Sequence, residues 1–209
     1  MIKNMSCVLL MMVCASVAFA GGDKAAGKAL FDKVCVECHD TNGHGLKDKN
    51  APAIAGQEEW YLIRQMEAYK NGIRGTHPKD VYGKEMADKA LATLKDGNNI
   101  ANLAAYVTTM APLKPKSTMD GDPKRGKALY MVCATCHGQN GEGMQAMGGA
   151  KVYTQQDWYL ARQLQYFKDG VRGTNPKDVF GMQMRPMAMT LQNEQAIKDV
   201  VAYMMTLGK

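Results

Sequence analysis

The amino-acid sequence predicts an all-α fold built from two similar domains in tandem. Two observations predict it: apolar residues recur at helical spacing near the end of each half, and the second half repeats the first. Strand-like alternation of apolar and polar residues is absent from the pattern. The boundary is expected in stretch 111–118, where prolines and lysines interrupt the apolar pattern, so the predicted domains span residues 21–115 and 116–209.

The first twenty residues have the pattern of a secretory signal peptide. Lys3 is followed by an apolar run from Val8 to Phe19 and by the small-residue cleavage pattern at 18–20. The run is too short for a comfortable membrane span. We therefore expect residues 1–20 to be removed on export to the periplasm, which takes away Cys7 and Cys14 and leaves the other cysteines of the chain.

An internal repeat of domain size divides the remaining chain. A shift of 98 positions places Cys35 on Cys133, and the match continues from 60–65 onto 158–163 and from 72–83 onto 170–181. This period is longer than the roughly 20 to 50 residues of a solenoid repeat, so each copy should have its own core.

Each copy is predicted to contain the same helices in the same order. A short helix precedes the cysteine pair, a longer one spans 59–70 or 157–168, and an amphipathic helix ends the copy. The last helix has apolar residues at i, i+3, i+4 and i+7, which are Ile100, Leu103, Ala104 and Val107 in the first copy and Ile197, Val200, Val201 and Met204 in the second. Long loops are expected between these helices.

The remaining cysteines all lie in two CxxCH motifs, which consist of Cys35, Cys38 and His39 in the first copy and Cys133, Cys136 and His137 in the second. This spacing is typical of covalent haem attachment, in which both sulfurs add to vinyl groups and the histidine binds iron. A zinc site would need more Cys or His ligands, and a thioredoxin-like pair would need a βαβ context. The sequence therefore predicts two covalently bound haem c groups.

The repeat also selects a second iron ligand in each copy. Met86 is the single methionine between positions 70 and 109, and it lies 47 residues after His39; the residue 47 after His137 is Met184. We predict Met86 and Met184 as the distal ligands, with Met187 as the rival in the second copy.

Histidine is the alternative distal ligand, because His44 and His77 remain unassigned. Their counterparts in the second copy are Glu142 and Asn175. A repeated bis-histidine design is therefore excluded, whereas a single odd site is not. Paired His and Met ligands would fill the iron coordination, favour the ferrous state and leave no open position for catalysis, so we expect an electron carrier rather than an enzyme.

These residues resemble the cytochrome c4 family, the dihaem class I cytochromes c of bacterial periplasms. The resemblance covers essentially the whole chain after residue 20 and rests on segments 35–45, 52–57 and 60–75 with Met86, and on 133–143, 158–173 and 184–188. It implies two class I cytochrome c domains packed face to face about a pseudo-twofold axis. It also implies that the Pro52 carbonyl orients His39, while the second copy departs from the pattern with Ala150 at that place.

Charge and family together suggest the role. Residues 21–115 carry 13 basic and 12 acidic side chains, whereas residues 116–209 carry 12 and 8. This asymmetry fits either a plain soluble surface or a basic C-terminal face that steers toward an acidic redox partner. A nucleic-acid partner is not expected from so small an excess.

We expect a diffusible or loosely membrane-associated carrier that links a membrane respiratory complex to a terminal oxidase or reductase. The alternatives are a dihaem subunit of an enzyme such as flavocytochrome sulfide dehydrogenase, and a haem enzyme such as a peroxidase or a thiosulfate-oxidising protein.

Overall fold

The computed structural model of the chain describes residues 21–208. The predicted signal peptide lies outside these residues. The described residues form nine α-helices and no β-strand, apart from one isolated bridge between Met144 and Gly149. None of the described helices is both long and apolar enough to cross a bilayer. The all-α prediction is confirmed.

The same order of helices occurs in both halves. The first half contains α1 (Lys24–Leu30), a π-helical segment (Phe31–Cys35), α2 (Val36–His39), α3 (Glu59–Lys70), α4 (Val81–Leu94) and α5 (Gly97–Val107). The second half contains α6 (Pro123–His137), a 3₁₀ turn (Gln145–Met147), α7 (Asp157–Lys168), α8 (Val179–Met189) and α9 (Glu194–Met204). Helices α3 and α7 have the predicted bounds.

Helices α4 and α8 occupy segments where the sequence predicted loops, so that expectation was wrong. Each begins after an aspartate that caps it: the Asp80 carboxylate accepts a hydrogen bond from the Gly83 amide at 3.0 Å, and Asp178 accepts one from Gly181 at 2.9 Å. A glycine in the first turn and Pro186 inside α8 weaken the helical signal of the sequence.

The first and last helices of each half cross at a glycine. A Cβ added to Gly27 would lie 2.0 Å from the Asn102 carbonyl oxygen, and one added to Gly126 would lie 1.9 Å from that of Asp199. Only a residue without a side chain permits this close approach of α1 to α5 and of α6 to α9. The crossing fixes the direction from which the chain enters each CxxCH motif.

Each half has its own apolar core. The first core contains Phe31, Leu94, Ile100 and Leu103, and the second contains Tyr130, Leu191, Val200 and Val201. No residue is shared between the two buried clusters of the described chain, which agrees with the expectation that each copy of the repeat packs independently.

Candidate cofactor-binding site

A large hollow opens between the helices of both halves and runs across the contact between them. About 2520 Å³ of it is free of protein atoms, part of this open to solvent. Its walls are mainly apolar side chains, so it suits bulky apolar groups.

The structure brings all the sequence-predicted site residues to this hollow. Its lining includes Cys35, Cys38, His39 and Met86 from the first half and Cys133, Cys136, His137 and Met184 from the second. Met86 is carried by α4 and Met184 by α8, the two helices that sequence reasoning missed. The rival Met187 also lies on α8 and lines the hollow, but its side chain is more exposed than that of Met184.

Both motif histidines are held by a backbone carbonyl. The Nδ1 atom of His39 lies 2.8 Å from the Pro52 oxygen, and that of His137 lies 2.7 Å from the Ala150 oxygen. A carbonyl only accepts, so the ring proton resides on Nδ1 and the Nε2 lone pair is free to bind a metal. Ala150 thus provides the same contact as Pro52, although its loop differs in sequence.

Burial keeps both imidazoles neutral. Desolvation lowers the pKa of His39 and of His137, and it outweighs the carbonyl hydrogen bonds, which raise them. The charge of Arg64 lowers the pKa of His137 further. A neutral imidazole with an oriented lone pair is the form that coordinates iron.

Cys35 and Cys133, the first cysteine of each motif, lack the environment of a reactive thiolate. Burial, with a smaller contribution from the neighbouring cysteine, raises the pKa of Cys35 to about 11, and burial raises that of Cys133 to about 11. Redox-active CxxC pairs have the opposite shift. The four cysteines of the described chain form no disulfide. These features argue against the redox-pair interpretation of the motif.

The two unassigned histidines lie outside the hollow. The Nε2 atom of His44 is 3.1 Å from the Ala111 carbonyl oxygen, and Nδ1 of His77 accepts a hydrogen bond from the Lys79 amide at 3.1 Å. Neither side chain lines the hollow. The geometry therefore gives no support to histidine as a distal ligand.

Half-buried arginines provide a test of which cofactor fits. The Nε atoms of Arg74, Arg162, Arg172 and Arg185 are buried and have no hydrogen-bond partner among the described protein atoms. None of the four arginines forms an ion pair with a described carboxylate. Arg74, Arg162 and Arg172 line the hollow, and half-buried cations without counter-charges are costly, so the site calls for anionic groups. Haem c, with two propionates on an apolar ring, fits both the cations and the walls.

Arg74 and Arg172 are linked across the two halves by a pair of glutamines. Arg74 donates to Gln65 Oε1 at 2.7 Å and to Gln163 Oε1 at 3.3 Å, and Arg172 donates to the same two oxygens at 2.8 and 2.7 Å. Arg74 also donates to the Tyr159 hydroxyl at 2.7 Å. Burial raises the pKa of Tyr159, but the charges of Arg74 and Arg172 outweigh it and lower the pKa.

A second pair of arginines reaches from each half into the other. Arg64 on α3 donates to the Gly148 carbonyl at 2.6 Å and lies 4.4 Å from the Phe180 ring centre. Arg162 on α7 donates to the Asn50 carbonyl at 2.9 Å and to its side-chain oxygen at 3.1 Å. Asn50 and Gly148 each precede by two residues the carbonyl that holds the motif histidine of their own half.

Sequence reasoning missed this exchange, although Arg64 and Arg162 were matched by the repeat. The signal was the retention of an arginine at one position of both copies, but the sequence does not say whether such a residue contacts its own domain or the other.

Hydrogen bonds between glutamine side chains and backbone groups also join the two halves. Gln57 exchanges two hydrogen bonds with the Lys151 backbone at 3.0 and 3.1 Å, and Gln155 exchanges two with Ala53 at 2.8 and 3.2 Å.

Comparisons with known proteins agree with the repeat. The family model described as cytochrome c matches residues 24–111 and again 123–208. Cytochrome c4 of Azotobacter vinelandii is 32% identical over 212 residues, covering 96% of this chain and 95% of that protein. The crystal structure of reduced recombinant cytochrome c4 from Pseudomonas stutzeri superimposes with a TM-score of 0.67 at 26% identity, covering 89% of this chain and 99% of the other.

An oxidase subunit is a more distant relative. Subunit FixP of the cbb3-type cytochrome c oxidase of Azorhizobium caulinodans is 28% identical over 194 residues, covering 88% of this chain and 60% of that subunit. The matches to two tandem cytochrome c domains confirm the fold class that the sequence predicted.

Proposed function

Because the chain belongs to the cytochrome c family, within its dihaem cytochrome c4 group of electron carriers, and so carries two covalently bound haem c groups, we propose that each haem is held between a histidine and a methionine. His39 and Met86 are the proposed axial ligands in the first domain, and His137 and Met184 those in the second. Cys35, Cys38, Cys133 and Cys136 are the proposed attachment points.

One observation carries this proposal: each half presents a neutral histidine, buried for His39 and half-buried for His137, whose Nδ1 is fixed by a carbonyl, in one hollow with a methionine of the same half. Haem iron supplies reversible one-electron chemistry when it is bound at such a site. The residues of the chain orient the imidazoles, exclude water with apolar walls and would neutralise the haem carboxylates with half-buried arginines. A soft thioether ligand favours the reduced state and raises the potential.

The cellular setting is part of the same proposal. Residues 1–20 act as a signal peptide, the mature protein works in the periplasm, and the domains span residues 21–115 and 116–209. Its redox partners are a membrane respiratory complex on one side and a terminal oxidase or reductase on the other. Likeness to a cbb3-type oxidase subunit supports an oxidase as one of these partners.

The enzyme alternatives gain no support from the relatives that match over their full length. Those relatives are cytochromes c4, which are carriers. Two fully ligated irons would also leave no position for peroxide or thiosulfate chemistry.

A spectroelectrochemical titration of the holoprotein tests the ligand assignment. We expect Met86→Ala and Met184→Ala each to remove about half of the weak thioether-to-iron band at the red end of the visible spectrum and to lower the potential of one haem. Met187→Ala is the matched control on the same helix and should keep the full band. Retention of the full band in either ligand variant, or its loss in Met187→Ala, would show that the assignment for that haem is wrong.

A further inference from the structure

The two domains have opposite surface chemistry around the openings of the hollow. Four exposed lysines of the first domain stand where the second domain has exposed methionines: Lys33, Lys49, Lys84 and Lys89 correspond to Met131, Met147, Met182 and Met187. Four exposed acidic residues are replaced as well: Glu37, Asp48, Glu85 and Asp88 correspond to Thr135, Ala146, Gln183 and Pro186. The first domain can therefore be compared, position by position, with this surface of the second domain.

The uncharged surface of the second domain is exposed and borders the cofactor site. Val132, Met147, Phe180 and Met187 line the hollow and are each between 37% and 42% exposed. Met131 and Met182, which do not line it, are 74% and 45% exposed. These six side chains are called the methionine rim below.

Packing does not require methionine at these positions. The first domain has the same helices and places lysines there, where two of them form ion pairs: Lys84 with Asp88 at 2.7 Å and Lys89 with Glu37 at 3.8 Å. An exposed methionine side chain forms no such ion pair, and its contact with water gives no comparable stabilisation. Exposed apolar side chains gathered on one side of a domain are typical of a contact site, and methionine is enriched in such sites because its flexible side chain adapts to a partner.

The position of the rim and its lack of charge indicate the kind of partner. In an electron carrier, electrons enter and leave where the cofactor comes nearest to the surface, and four exposed residues of the rim line the hollow that would hold it. Carboxylates or ammonium groups pressed against thioethers would lose hydration without finding a counter-charge. Arg185 is the one charged residue of α8, and its Nε is buried. Arg64 of the first domain stacks 4.4 Å from the Phe180 ring centre, but it is half-buried and donates to the Gly148 carbonyl, so it is held at the contact between the domains. A partner with a charged face finds its complement at the first domain instead.

We propose that the methionine rim is the docking site of the second domain for a redox protein whose own contact face is apolar and uncharged around its redox centre. This inference rests on the proposed function, because it needs a haem behind the rim. The first domain serves a charged partner, so electrons enter and leave through chemically different ends. Electron transfer at the methionine rim is therefore insensitive to salt, whereas transfer at the first domain weakens as salt rises.

Voltammetry of the holoprotein on gold covered with a methyl-terminated or a carboxylate-terminated monolayer tests the inference, with the methyl surface as the probe for an apolar face. On the methyl surface, Met147→Lys/Met187→Lys, which installs the residues of the first domain, should slow interfacial electron transfer about tenfold or more. Gln139→Lys/Thr206→Lys is the matched control. It adds the same charge at exposed positions that do not line the hollow, and it should transfer electrons like the wild type.

Equal rates for the rim variant and the wild type on the methyl surface would overturn the inference, as would an equal loss in the control. If the rim variant instead turned a dimer into a monomer in analytical ultracentrifugation, the rim would be a contact between copies and the inference would also fall. Visible spectra and potentials are recorded for every variant. Intact haem signals with unchanged rates refute the docking site alone, whereas absence of the thioether band in the wild type refutes the proposed function.

Discussion

Replacing Arg162 by glutamine tests whether one domain completes the cofactor pocket of the other. The change removes two hydrogen bonds from a charged donor to Asn50, at 2.9 and 3.1 Å, and the stacking of the guanidinium 4.6 Å from the centre of the Tyr82 ring. Hydrogen bonds to charged groups contribute about 1.5 to 3 kcal/mol each, and a cation–π contact about 1 kcal/mol. Since glutamine can keep one bond to the Asn50 carbonyl, we expect a net loss of about 2 to 4 kcal/mol.

The same substitution should change a reduction potential in the domain that does not contain it. Arg162 contacts Asn50 and Tyr82 of the first domain, and its buried Nε has no partner among the described protein atoms. A unit charge on the order of 10 Å away, at an effective dielectric constant of about 20, contributes about 1.7 kcal/mol. That energy corresponds to about 70 mV, which pairing with a propionate would reduce. Because a cation stabilises the reduced form, its removal should lower the potential of the first haem by tens of millivolts.

Potentiometry and calorimetry of the holoprotein check both effects. The two haems are assigned with the Met86→Ala and Met184→Ala variants. Arg162→Lys keeps the charge and loses the planar fork, so it should lose stability with little change in potential. The mirror variant Arg64→Gln should lower the potential of the second haem. A shift confined to the haem of the mutated domain, or no shift in either haem, would refute the reciprocal arrangement.

Three further predictions concern the helix crossing, pH and the interface. Gly126→Ala would place a Cβ 1.9 Å from the Asp199 carbonyl oxygen, so we expect at least 1 to 3 kcal/mol of destabilisation in thermal melts, and an unchanged melting temperature would contradict the close approach. A hydrogen bond from Arg125 holds the pKa of Asp199 well below its usual range, so its contribution to stability is present above about pH 3.9 and is lost as pH falls through the folded pKa. Asp199→Asn should therefore melt lower than wild type at pH 6, with the gap closing toward pH 2, and a gap independent of pH would exclude the charge as its cause. Gln155→Ala removes both bonds to Ala53 and should cost about 1 to 3 kcal/mol of unfolding free energy in denaturant titrations, whereas a loss below about 0.5 kcal/mol would show the contact to be dispensable.

The parts of the fold that the sequence predicted are those with a local signal. Helix α3 is ended by a glycine, and α5 and α9 show their buried faces as apolar residues at helical spacing. Helices α4 and α8 escaped notice because Gly83, Gly181 and Pro186 break that signal. The sequence does contain evidence for both helices. A capping aspartate, Asp80 or Asp178, comes directly before each one, and apolar residues follow it at intervals of three or four positions.

The parts of the candidate site that depend on residue spacing could be predicted from the sequence. The parts that depend on contacts between the two domains could not. The CxxCH motifs and the matched methionines follow from position within the repeat. The Arg74 and Gln163 contact joins residues 89 positions apart, and no periodicity encodes such a pairing. The replacement of lysines by methionines in the second domain is visible in the repeat, but only the structure shows that Met147 and Met187 are exposed and line the hollow.

The π-helical segment Phe31–Cys35 records how the two halves diverged. Gly27 lies eight residues before Cys35, whereas Gly126, its partner in the second helix crossing, lies seven before Cys133, and there α6 runs unbroken. One extra residue in a regular helix would swing everything after it by about 100° around the axis. The wider turn absorbs that residue, so the glycine crossing and the cysteine motif both keep their orientation. One copy gained a residue inside this helix, or the other copy lost one. The π-helical turn accommodates the difference in length without changing the helix packing before it or the cysteine motif after it.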